Sequence, residues 1–113
     1  MGREDQARTE IPPGTLHMLV LKTLARLRPM HGYGIAQHIQ QTSEILQVEE
    51  GSLYPALQRM LIKGWVSAEW GQSDNNRRAR YYQLTPLGRK QLSVEISEFE
   101  RVVEAIARVI QPA

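Results

Sequence analysis

Between Ser52 and Gly64 the apolar residues Leu53, Leu57, Met60 and Leu61 recur at spacings of four, three and one, which puts them on one side of a helix. The other side carries Tyr54, Gln58, Arg59 and Lys63. Ser52 is expected to cap the first turn, Pro55 to fall within it, and Gly64 to supply a left-handed stop. Upstream, Leu16, Leu19, Val20, Leu24 and Leu27 follow helical spacing from a start at Gly14 or Thr15 to an end at Pro29. Met18 and Leu21 widen that stripe. They predict a second buried face, either in the same domain or against a partner chain. His31-Gly-Tyr-Gly34 reads as a tight turn into a second helix. There Ile35, Ala36 and Ile39 face inward, and Gln37, His38, Gln40 and Gln41 outward. Ile45, Leu46 and Val48 form a short apolar connector to the third helix.

After Gly64 the period changes from helical to alternating. Val66, Ala68 and Trp70 fall on one side, Ser67 and Glu69 on the other, as in a strand. Gly71 to Asn76 has turn chemistry, and Tyr81 to Thr85 makes the returning strand of a hairpin. Arg77, Arg78 and Arg80 are placed at its tip, and Trp65 and Trp70 in the apolar root. Thr85-Pro86 then caps a last helix running to about Ile110. In it Leu92, Ile96, Phe99, Val103, Ile106 and Ile110 recur at spacings of 4, 3, 4, 3 and 4, the seam of a coiled coil. The fold expected is mainly α with a small β-hairpin: a winged helix-turn-helix domain over residues 13–85 and a C-terminal dimerisation helix over 86–110. Residues 1–12 are expected to be a flexible arm with room for some helix, ending in Ile11-Pro12-Pro13, which cannot continue one. A seam this long cannot be buried on so small a domain. The chain is therefore expected to form a homodimer through the last helices, packed also against Met18 and Leu21.

At 113 residues the chain has room for one core. It contains no cysteine, which excludes disulfides, thiolate catalysis and the common structural zinc sites. His17, His31 and His38 have no clustered carboxylates, so neither a metal site, a catalytic triad nor any cofactor is expected. No run approaches the roughly 20 apolar residues of a membrane span, and the first ten residues are too charged for a signal peptide. A cytoplasmic protein is expected. The net charge of +2 is unevenly spread: residues 1–10 carry −1, residues 11–91 carry +5, and residues 92–113 carry −2. Positive charge thus gathers on the middle segment, as suits a polyanionic partner. A phosphate-binding glycine loop at Gly32-Tyr-Gly34 is disfavoured, since no strand precedes it and no Lys-Ser/Thr follows.

His31-Gly-Tyr-Gly-Ile35, Gly51-Ser-Leu-Tyr-Pro-Ala-Leu57, Lys63-Gly-Trp65, Glu69-Trp70, Asn76-Arg-Arg78, Arg80-Tyr-Tyr82 and Leu84-Thr-Pro-Leu-Gly-Arg89 together resemble the PadR family of bacterial transcriptional regulators over roughly residues 13–110. The resemblance implies a winged-helix homodimer of the short-tailed branch, usually a repressor, on an inverted-repeat operator in double-stranded DNA. It assigns DNA contacts to Ser52, Tyr54, Pro55, Gln58 and Arg59 on the third helix, to Arg77, Arg78 and Arg80 on the wing, and to Tyr33 at the entry to the second helix. Some relatives bind aromatic compounds against an aromatic residue of the last helix. Phe99 is the candidate here; short-tailed relatives often place tryptophan there, so Phe99 is read as dimer core. The rival reading is a winged helix used as a protein-interaction or RNA-binding module.

Overall fold

The computed structural model describes residues 8–12 and 14–112. Its elements run in chain order β1 (Thr9–Glu10), α1 (Leu16–Arg26), β2 (Met30–His31), α2 (Gly32–Thr42), β3 (Leu46–Gln47), α3 (Glu50–Ile62), β4 (Val66–Gln72), β5 (Arg78–Leu84) and α4 (Pro86–Ile110). Three helices followed by a hairpin make a winged helix, and the long α4 extends from it. None of the described helices is long and apolar enough to cross a membrane.

Helix α1 lies at the centre, with α2, α3, α4 and β5 all packed against it. An element surrounded in this way needs apolar residues on nearly every side. This explains why Met18 and Leu21, expected to meet a partner chain, are buried in the chain's own core, Leu21 completely. Thr23 is buried among them, and its hydroxyl is satisfied by donating to the Leu19 carbonyl at 2.8 Å. The helix stops at Arg26, earlier than expected, because Arg28 precedes Pro29 and is pushed out of helical geometry.

Helix α3 begins two residues before Ser52. Glu49 is the cap residue without a side-chain bond, and Ser52 lies inside the first turn. Pro55 is consequently in the helix interior rather than the first turn. Its missing N–H leaves the Gly51 carbonyl without a helical donor, and that residue is open to water, which can take the donor's place. Leu53, Ala56, Leu57 and Met60 bury one face completely, whereas Leu61 is half-buried. Gly64 has φ +78°, the left-handed stop expected of it.

The sheet has the order β2-β5-β4, all antiparallel, with Met30 opposite Tyr82 and Val66 opposite Leu84. The hairpin turn is shorter than its sequence suggests. The strands continue to Gln72 and resume at Arg78, leaving Ser73–Arg77 as the connection, with Asn76 at φ 64°. Ser73 N–H donates to the Arg77 carbonyl at 2.8 Å and Asn76 N–H to the Ser73 carbonyl at 2.9 Å. Part of the expected arm is ordered too: Thr9-Glu10 pairs in parallel with Leu46-Gln47 of the apolar connector. The remainder of the arm, residues 1–7, lies outside the described residues.

Thr85 fixes where α4 leaves the wing. Its hydroxyl accepts from the Gly88 N–H at 2.9 Å and donates to the Gly64 carbonyl at 2.7 Å, and its backbone N–H donates to Trp65. Gly88 has to be glycine for this, since a Cβ there would fall 2.0 Å from the Trp65 carbonyl oxygen. The first third of α4 packs on α1, and Leu92, expected in a dimer seam, is buried inside the monomer. Ile96 packs partly on the same core. Beyond it Phe99, Val102, Val103, Ile106, Val109 and Ile110 are exposed on one side of a helix of 25 residues, about 37 Å long.

Candidate nucleic-acid interface

The outer face of α3 follows from its buried one. At about 100° per residue, the direction opposite Leu53, Ala56, Leu57 and Met60 is taken by Gly51, Pro55, Gln58 and Ile62, flanked by Tyr54 on one side and Arg59 and Ser52 on the other. All seven are exposed. The flanks open on different hollows. Ser52, Pro55 and Arg59 line a depression of about 560 Å³ shared with Glu10, His17 and Val48. Tyr54 faces the wing across a groove of about 810 Å³, together with Tyr33, Gln37, Trp70, Arg77, Arg78 and Arg80. Gln58 stands on the ridge between the two.

The groove's inner wall is built by local fit. The His31 ring caps α2 by accepting from the Gly34 N–H at 2.9 Å, and packs edge-on to Tyr81 with ring centres 5.3 Å apart. His31 thus belongs to the turn. Gly32 leaves space for the neighbouring helix, because a Cβ there would meet the Tyr54 ring at 2.6 Å. Tyr54 is thereby held against the N-terminus of α2 with its ring half in solvent. Partial burial first, and then Glu50, raise the Tyr54 pKa above the usual phenol value, so it remains a neutral hydroxyl.

The wing supplies the opposite wall. Residues of even number on β4 and β5 share one face: Val66, Ala68, Trp70 and Gln72 opposite Leu84, Tyr82, Arg80 and Arg78. At the root this face is core, with Val66, Tyr82 and Leu84 buried. Further out the hairpin outruns the domain, and the same face carries Trp70, Arg78 and Arg80. Trp70, expected in the root, is 59% exposed. The guanidinium carbons of Arg78 and Arg80 lie 4.6 and 5.7 Å from its ring centre. Two of the three arginines expected at the tip are therefore on β5 itself, and only Arg77 belongs to the turn. Trp65 does lie at the root, packed against the core, with the Lys63 ammonium 5.2 Å from its ring centre.

Of the expected site residues, the fold gathers Tyr33, Tyr54, Arg77, Arg78 and Arg80 around one groove, with Gln58 on its rim. Ser52, Pro55 and Arg59 turn to the other hollow. Trp70, Gln37 and the exposed Ile62 escaped the sequence reading. Trp70 was within reach of it, since its hairpin parity matches Arg78 and Arg80 once the turn is counted correctly. Ile62 was within reach too, since nine residues after Leu53 it falls opposite the buried face, whereas Leu61 falls on that face's edge.

Arg59 also bears on His17, which packs edge-on to Trp65 at 6.1 Å. Burial first, then Arg59 and Lys63, lower the His17 pKa below 6.5, with Glu95 opposing. The folded chain thus prefers neutral His17. Below about pH 6.5 the unfolded chain binds the proton more readily, so this residue withdraws stability as the pH falls. His17→Gln should therefore lessen the loss of stability between neutral and mildly acidic pH, as measured by urea unfolding at both. An unchanged or steeper loss would count against this assignment.

A third helix with an open polar face beside a basic wing, on a three-helix domain, is a winged-helix fold of the kind that binds DNA. The model of the transcriptional regulator PadR-like family matches residues 20–94, more than half of the chain, and the chain belongs to that family. A transcriptional regulator from Clostridium thermocellum superposes with a TM-score of 0.78 at 26% identity, covering 87% of this chain and 95% of that one. A PadR family transcription regulator from Clostridium difficile gives 0.73 at 27% identity, covering 87% and 100%. An uncharacterised protein of Lysinibacillus sphaericus is 31% identical over 100 residues, 88% of this chain and 91% of the relative. The protein is thus a transcriptional regulator of the PadR-like family with a long C-terminal helix.

Proposed function

We propose that the chain is a sequence-specific repressor that binds an inverted-repeat operator as a homodimer in the bacterial cytoplasm. The observation that carries this reading is the pairing of two surfaces on one small chain: a groove-edged reading helix with a basic wing, and a bare apolar seam on α4. The first gives Gln58 for base edges and Tyr33, Tyr54, Arg77, Arg78 and Arg80 for the phosphate backbone, with Ser52, Pro55 and Arg59 on the far flank of the same helix. The second supplies a symmetric copy. In this reading Ile96, Phe99, Val103, Ile106 and Ile110, together with Val102 and Val109, close against the partner's α4. Leu92 holds the base of the helix to its own domain. Phe99 belongs to that seam and not to an aromatic effector site. Repression requires only that the dimer occupy the operator and exclude polymerase.

The reading is tested by the salt dependence of binding to promoter duplexes. Several phosphate contacts per subunit should make affinity fall steeply between roughly 50 and 200 mM salt. A flat response would remove the mechanism and favour a winged helix that binds protein. An RNA duplex, whose deep narrow major groove does not admit α3, should compete poorly.

A further inference from the structure

We propose that Trp70 is a positioning residue for DNA binding: its indole holds the Arg78 and Arg80 guanidiniums in a fixed arrangement on the wing before DNA arrives. The proposal rests on the DNA-binding reading above and adds to it a part for a side chain that does not itself read bases.

Arg80 stands directly across the ladder from Trp70, and Arg78 opposite Gln72, one pair further out on the same face. The two arginines are thus adjacent cations on one face of a strand, an arrangement that repels itself. Among the described residues neither has a carboxylate in ion-pair contact. Arg80 Nε is buried with no hydrogen-bond partner, so hydrogen bonding does not hold this nitrogen in place. What both guanidiniums share is the indole, at 4.6 and 5.7 Å.

An aspartate or glutamate in place of Trp70 would also orient the two arginines. It would cancel part of the charge they carry to the phosphates. The negative face of an indole attracts guanidinium groups and leaves their formal charge intact. Arginine is among the side chains with most rotamer freedom to lose, so ordering two of them in advance removes a cost otherwise met on binding. The exposure of Trp70 agrees with this role: a residue 59% open to solvent adds little to the core, and the hairpin has already left the domain where it stands.

The test compares Trp70→Leu and Trp70→Phe in the full chain, with two readouts. Without DNA, arginine side-chain resonances in the wild type should be displaced by the ring current of the indole, and in Trp70→Leu they should return to ordinary positions. With an operator duplex at moderate salt, Trp70→Leu should weaken binding about fivefold and Trp70→Phe less than about twofold, at unchanged thermal midpoints. In an Arg78→Ala background Trp70→Leu should weaken binding by less than about twofold, since part of what it positions is gone. Equal affinities for wild type and Trp70→Leu, or equal losses for Leu and Phe, would overturn the proposal. So would an undiminished loss in the Arg78→Ala background, which would mean that the indole touches DNA itself. Should the wild type bind no duplex, the DNA reading falls and this role with it. The ring-current shifts would then still report whether the indole orders the arginines.

Discussion

Glutamate at both Val103 and Ile106 should leave the chain monomeric in sedimentation velocity and weaken operator binding by roughly 10²-fold or more. The second half follows from the first, because a two-fold dimer gains its affinity by engaging two half-sites at once. Both positions are exposed in the single chain, Ile106 to 54%, so the substitutions should not disturb the fold. Ile96, also on the proposed seam, would be a poorer choice: it packs partly on its own core, and a charge there would damage the monomer. In the dimer, by contrast, four carboxylates would face an apolar seam with no cation among its core positions, and each would lose its hydration. A dimer that survives both substitutions would show that α4 pairs through another face.

The second large effect separates the helix from the wing. Gln58→Ala should lower preference at one or two base pairs of each half-site by about 1–3 kcal/mol each, leaving binding to random duplex nearly unchanged. Arg78→Ala should weaken specific and random DNA alike and reduce the slope of log affinity against log salt by about one per subunit. The difference follows from the chemistry of the two groups. A glutamine amide can match the donor and acceptor pattern of one base, whereas the Arg78 guanidinium beside Trp70 would meet phosphates that are the same at every sequence. Competition titrations with specific and random duplexes would measure both. Equal losses on both DNAs for both variants would refute this division of labour.

Features set by one or two residues were legible from the sequence alone. Gly64 ends α3 because only glycine readily takes φ +78°, and Thr85 before Pro86 caps α4 through its hydroxyl. The apolar stripe of α4 was legible too, because it spans many turns, although the repeat of four and three passed over Val102 and Val109 on the same side. Where a residue's surroundings come from distant elements, the sequence misled. Met18 and Leu21 look like a surplus face until α1 is seen to be enclosed by α2, α3, α4 and β5. Trp70 alternates correctly with Val66 and Ala68, yet the alternation gives only a face of the hairpin. It does not tell where the core ends along it. Two-residue strands such as Thr9-Glu10 and Leu46-Gln47 carry no period at all, and their pairing depends wholly on where the first and third helices place them. The groove is legible in part. Tyr54 and the arginines announce themselves by type, but their convergence depends on Gly32 admitting the Tyr54 ring and on a five-residue turn that sets the wing's register.

If a symmetric pair of α3 helices reads DNA with the wings alongside, selection of bound sequences from a random duplex library by this 113-residue chain should enrich an inverted repeat whose half-site centres lie about one helical turn, or a multiple of it, apart. Enrichment of a single unrepeated site, or of none, would contradict it.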